Sequence, residues 1–205
     1  VLGAEVKALY WMHGVPNTFH GFVRLHDHSY VAFVQGPTNA SIEPVFGVSH
    51  AGNAGAASAP GTMQHVAFNV DTLDDLLVLR DRIRAHGVQV YGPLDHGMCH
   101  SIYFAGPQNL ALEVATSADV IDERSWIDPD VVALLGIDDD ELADLIVPKP
   151  FEDQAGRIQQ PPADPSRPQI VMDPRIREAI MAMPDEQVTA RLSQSDPPVA
   201  APAHS

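Results

Sequence analysis

Met63-Gln64-His65-Val66-Ala67-Phe68-Asn69-Val70, answered downstream by Ser101-Ile102-Tyr103-Phe104-Ala105 and Leu110-Ala111-Leu112-Glu113-Val114-Ala115, is the part of the sequence on which the fold turns. Each run alternates, and a strand shows successive side chains to opposite faces. Val66, Phe68 and Val70 share one face, as do Ile102 with Phe104 and Leu110 with Leu112 and Val114. Between the first two runs, Thr72 is placed to cap a helix whose first turn carries Asp74 and Asp75. Leu73, Leu76, Leu77, Arg80 and Ile83 give that helix one mostly apolar stripe, and Gly87 closes it. A short strand is expected at 88–91, and Gly106-Pro107-Gln108-Asn109 is a tight turn. The order over residues 63–117 is therefore βαβββ.

Upstream, residues 5–12, 21–25 and 29–35 read as three further strands with no strand and helix before them. They match the back part of a second, similar unit. Residues 37–60 are rich in Gly, Ala and Ser and read as the link between the two. The expected organisation is one α+β domain over 1–117, made of a partial first module (1–36), a linker (37–62) and a second module (63–117). An acidic helical extension follows at 118–150. Asp128-Pro129 opens a helix that stops at Gly136, and Asp138-Asp139-Asp140-Glu141 opens another. Residues 151–205 read as a Pro-rich, largely disordered tail with one helical island at 174–193, where Ile176, Ile180 and Met183 recur at helical spacing.

The chain has 205 residues, 45% of them hydrophobic, enough for a core. Its formal net charge of -15 argues against nucleic acid or an anionic membrane surface as the main partner. The lone cysteine, Cys99, excludes an internal disulfide, and a reducing cytoplasm is the expected location. No apolar run approaches the roughly 18 residues of a membrane helix. The first residues, Val1-Leu2-Gly3-Ala4-Glu5, have neither the basic nor the apolar region of a signal peptide.

If the apolar strand faces lie under the helix, the opposite faces carry small residues around His65, Tyr103 and Glu113. Small residues around isolated polar groups describe a cavity better than a second core. An imidazole and a carboxylate on neighbouring strands suit a divalent transition metal. The blander reading is a hydrogen-bonded strand histidine, a solvated glutamate and a packing tyrosine.

The βαβββ order, the strand around His65 and the run Asp95-His96-Gly97 through Glu113 resemble the second half of a vicinal-oxygen-chelate domain, of the glyoxalase, bleomycin-resistance and extradiol-dioxygenase superfamily. The resemblance implies paired βαβββ modules in a cupped mixed sheet. It implies metal ligation by His65 and Glu113, with Fe(II) expected first and Mn, Zn or Ni as alternatives. It also implies that the first module's opening strand and helix, with a further ligand histidine, are absent from this sequence. His13, His20, His26 and His28 are substitutes to be tested. Glyoxalases take an additional glutamate from the last strand of the first module, where this sequence has Phe33 or Ala32. A His, His, Glu triad remains, which points toward extradiol-dioxygenase chemistry on a small catecholic substrate. The resemblance then gives His96 an acid–base role, with His100 as its alternative, and gives Tyr103 a hydrogen-bonding role beside the metal. Competing expectations are a glyoxalase or fosfomycin-resistance type of lyase or transferase, a metal-free ligand-binding protein of the bleomycin-resistance type, and an interaction protein working through its acidic tail. A homodimer is the expected assembly, since such modules can pair across chains.

Overall fold

The computed structural model describes residues 1–152, 156 and 158–199. It divides into two compact units, Val1–Asp138 and Asp139–Ser205, so the boundary falls inside the stretch 118–150. The fold is α+β. The first unit opens with β1 (Glu5–Trp11), β2 (Phe19–His26) and β3 (Ser29–Gln35), an antiparallel sheet in the order β1-β2-β3. A short helix α1 (Pro37–Ala40) starts the linker. Then come β4 (Val66–Val70), α2 (Leu73–Ala85), β5 (Val90–Asp95), β6 (His100–Ala105) and β7 (Ala111–Thr116). These four strands form a mixed sheet in the order β4-β7-β6-β5, with β4 parallel to β7 and the other pairs antiparallel.

Local chemistry explains α2. Thr72 Oγ1 accepts from the Asp75 backbone N–H at 3.1 Å, and Asp74 and Asp75 sit where the helix dipole favours them. Gly87 leaves the helix at φ 79°, a conformation that glycine adopts without the steric cost paid by other residues. The buried face of α2 is narrow: Leu76 and Ile83 are fully enclosed. They pack on Val90, Ile102, Phe104 and Val114, with Phe68, Val70, Leu79 and Leu112 around them. The apolar strand faces do lie under the helix.

Several boundaries differ from expectation. The first strand of the second module begins at Val66, so His65 lies just before it. The second strand runs Val90–Asp95 rather than 88–91, and it contains Pro93. Pro93 is tolerated because β5 is an edge strand, where a missing N–H costs no ladder bond. The register shifts between Tyr91 and Leu94. Gly92, at φ 104°, makes the close approach possible, since a Cβ there would lie 2.6 Å from the Ser101 carbonyl oxygen. The linker is anchored: His50 is buried, and its Nε2 lies 3.0 Å from the Gln108 carbonyl oxygen.

The extension forms α3 (Glu123–Trp126) and α4 (Pro129–Leu135), and the second unit opens with α5 (Asp139–Ile146). Asp128 caps α4 by accepting from the Asp130 N–H at 2.8 Å. The island expected as one helix at 174–193 is two, α6 (Pro174–Met181) and α7 (Asp185–Leu192). Pro184 separates them because it cannot continue the helix before it. No helix among the described residues is long and apolar enough to cross a membrane.

Among the described residues, no helix covers the sheet β1-β2-β3 as α2 covers the second sheet. Register puts Val6 beside Val23 and Val31, Leu9 beside Gly21 and Phe33, and Trp11 beside Phe19, all on one face. Leu9 is 67% exposed and Trp11 70%.

Candidate metal and acid–base site

Strand register builds the site. Ala67 pairs with Glu113, Glu113 with Tyr103, and Tyr103 with Tyr91, a single row across β4, β7, β6 and β5. Directly paired residues share a face, so this row lies opposite the core under α2. His65 stands two residues before Ala67 and returns to the same face. Its Nε2 lies 2.8 Å from Glu113 Oε2. The Glu113 side chain is 10% exposed and that of His65 28%, so the pair sits at a sheltered but reachable place.

Gln64 is the residue that sequence reasoning passed over. Its Oε1 contacts His65 Nδ1. Its Nε2 donates to the carbonyls of Asn53, Ala54 and Ala56 at 3.2, 2.6 and 3.0 Å. Gln64 thus fastens the linker to the histidine ring and favours a proton on Nδ1, leaving Nε2 to face Glu113. The available signal was a polar residue beside the histidine, entering a strand next to a Gly- and Ala-rich linker whose own side chains offer few hydrogen-bond partners.

Tyr103 and His96 join the same group. His96 Nε2 lies 3.1 Å from the Tyr103 hydroxyl. Burial pushes the Tyr103 phenol above its ordinary value of 10.0, the Glu113 charge pushes the same way, and a hydrogen bond with Ser101 pulls it down. Tyr103 therefore stays protonated at neutral pH and keeps its hydrogen-bond donor. Tyr91 stacks on it with ring centroids 5.1 Å apart and planes 19° from parallel. The His96 loop is held by its own N–H to the Cys99 carbonyl at 2.9 Å and by Asp95 Oδ1, which accepts from the Gly97 N–H at 2.8 Å.

The four residues singled out from the sequence, His65, Glu113, Tyr103 and His96, are thus brought together. The alternative acid–base residue is not among them. Strand alternation puts His100 on the face of Ile102 and Phe104, where its Nε2 lies 3.9 Å from Asp95. His20 is engaged elsewhere, 3.4 Å from the Tyr10 hydroxyl within the first sheet. Among the described residues, no group of three His, Cys, Asp or Glu side chains is placed to hold a metal ion, so none of His13, His20, His26 and His28 completes the pair. The donors present fit a divalent metal in kind, an imidazole and a carboxylate, and fall short in number. A cavity of about 760 Å³ opens beside the site and reaches it through Tyr91 and Tyr103. Neither His65 nor Glu113 lines that cavity.

Residues 16–114 match the model of the Glyoxalase/Bleomycin resistance protein/Dioxygenase superfamily. A biphenyl-2,3-diol 1,2-dioxygenase 2 of Rhodococcus globerulus is 32% identical over 88 residues, which are 43% of this chain and 40% of that protein. The chain thus spans about two-fifths of that curated relative. Among solved structures, a glyoxylase/bleomycin resistance protein/dioxygenase domain from Frankia sp. EAN1pec is similar at 15% identity, covering 57% of this chain and 80% of that one, with a TM-score of 0.42. The fosfomycin resistance protein FosX from Listeria monocytogenes is similar at 19% identity, covering 56% and 74%, with a TM-score of 0.35.

Proposed function

Residues 16–114 belong to the Glyoxalase/Bleomycin resistance protein/Dioxygenase superfamily, and from that membership we propose a metal-dependent oxygenase of the extradiol type, acting on a small catecholic substrate. The observation that carries the reading is the contact of His65 Nε2 with Glu113 Oε2, on the same face as Tyr103 and His96. His65 and Glu113 are the two ligands, and a third donor comes from outside the described residues. A bound Fe(II), or Mn, Zn or Ni in its place, would supply Lewis acidity and open positions for oxygen ligands. The dioxygenase similarity over 88 residues supports the choice of substrate class.

The chain's own groups have separable tasks. Gln64 holds the His65 ring and its tautomer. Glu113 is a sheltered anion that favours a cation or a donated proton beside it. Tyr103, held protonated, donates a hydrogen bond toward an oxygen-rich ligand. His96, exposed and 3.1 Å from the Tyr103 hydroxyl, links that hydroxyl to solvent and is placed to pass its proton.

One observation favours a second reading. With a proton between them, His65 Nε2 and Glu113 Oε2 satisfy each other at 2.8 Å, and such a pair needs no ion, which suits metal-free ligand binding in the bleomycin-resistance manner. The test is metal content and catechol-dependent oxygen uptake of the natural protein loaded anaerobically with Fe(II). The expected result is bound metal and oxygen uptake, both lost in Glu113→Ala. Ligand binding without metal uptake would establish the second reading. Metal uptake with activity on thiol substrates and none on catechols would move the protein to the lyase or transferase class.

A further inference from the structure

The cavity of about 760 Å³ lies at one end of the second sheet, where α2 finishes, β5 begins and β6 turns back into β7. Val88, Phe104 and Leu112 give it apolar walls. Gly52, Asn53 and Ala54 of the linker form a further side. That side is fastened twice. Gln64 holds the Asn53 and Ala54 carbonyls at 3.2 and 2.6 Å, and His50 Nε2 lies 3.0 Å from the Gln108 carbonyl oxygen. Anchored walls of this kind make a preformed cavity, of a size that small-molecule sites commonly have.

Its charge is opposite to that of the chain. The sequence carries 27 acidic and 12 basic residues, for a formal net charge of -15. Around the cavity the ionised side chain is Arg84, and no Asp, Glu or His is among the residues that line it. Arg84 Nη2 donates to the Val90 carbonyl at 2.9 Å, which fixes the guanidinium one residue from Tyr91. Unlike Arg24, Arg80, Arg124 and Arg167, Arg84 has no carboxylate partner among the described residues. A guanidinium carries several N–H groups, and the Val90 carbonyl takes one of them. A cation held against apolar walls is matched by a carboxylate, which accepts two parallel N–H groups from one guanidinium. Tyr91 completes the lining. It stacks on Tyr103 and is still 53% exposed, so its ring is open to a planar apolar body.

We propose that this cavity binds a small aromatic carboxylate, with the acid on Arg84 and the ring against Tyr91 and the apolar walls. Such binding needs neither a metal nor His65 and Glu113. A purely structural Arg84, in the last turn of α2, is served by the helix dipole and the Val90 carbonyl alone. That role gives no preference between an acid and its neutral amide, and the two roles separate on this point.

The test titrates the 205-residue chain calorimetrically with 2-naphthoate and with 2-naphthamide, which share their rings and differ in charge. The expected result is a complex roughly tenfold tighter with the acid, and loss of that preference in Arg84→Gln. Gln89→Glu puts a carboxylate into the lining and leaves Arg84 in place, which keeps the test open if Arg84→Gln fails to fold. It should weaken 2-naphthoate and leave 2-naphthamide unchanged. No binding of the acid, equal affinity for acid and amide, a preference retained in Arg84→Gln, or undiminished 2-naphthoate binding in Gln89→Glu would each overturn the proposal. So would inorganic phosphate that displaces 2-naphthoate and binds as tightly, since the ring would then contribute nothing.

Discussion

The two sheets of the first unit are built from the same hairpin sequence of strands and differ in what covers them. β5, β6 and β7 lie under α2 and enclose Ile102 and Val114 completely. β1, β2 and β3 leave Leu9 and Trp11 in solvent, although their strands are no less apolar. Burial, and with it the hydrophobic contribution to stability, follows from the covering helix and not from strand composition. The difference can be broken most directly at the helix. Leu76→Ala removes a fully buried side chain from α2 and is expected to cost about 2–5 kcal/mol, read by chemical denaturation. A loss comparable to that of an exposed site would show that α2 contributes little, and the contrast between the sheets would fail.

A smaller effect sharpens the same point. Thr72→Ala removes the cap on α2 without touching the core and is expected to cost about 1 kcal/mol. Because the helix is what buries the sheet, the loss should appear as a lower denaturation midpoint with an unchanged denaturant slope. A changed slope would mean that α2 frays and the sheet behaves like its uncovered neighbour.

The fold of the second module was legible because its signals are local. Thr72, the paired aspartates, the stripe through Leu76 and Ile83, and Gly87 act over a few residues each, and the structure realises them all. Strand alternation likewise put His65, Tyr103 and Glu113 on one face. What was not legible depends on distant partners. The extension of β5 through Pro93 required knowing that the strand lies at an edge. Gln64 gains its meaning only from linker carbonyls at Asn53, Ala54 and Ala56, and His50 only from Gln108. The cavity beside Tyr91 is lined in part by Gly52, Asn53 and Ala54, whose place the Gly- and Ala-rich linker sequence does not specify.

The covered sheet also carries the titrating group. Tyr103 has a folded-state pKa above that of the unfolded chain, chiefly through burial and then through Glu113. Its contribution to stability is complete below pH 10.0, the ordinary value, and is lost as pH rises through the folded value. Tyr103→Phe should therefore flatten the alkaline decline of the denaturation midpoint. Glu113→Gln should lower the phenol's titration in ultraviolet difference spectra only partly, since burial outweighs the charge. A complete return to the ordinary value in Glu113→Gln would show that charge and not burial sets the shift.

The smallest effect belongs to the uncovered sheet. Phe33→Ser in the 205-residue chain exchanges one exposed side chain for a polar one, and the expected change in stability is within about 0.5 kcal/mol. A value that small keeps the contrast with the covered sheet, where Leu76→Ala is expected to cost several times more. A large loss would mean that the Phe33 face is buried in solution by another copy of the chain, and the contrast between the two sheets would fail.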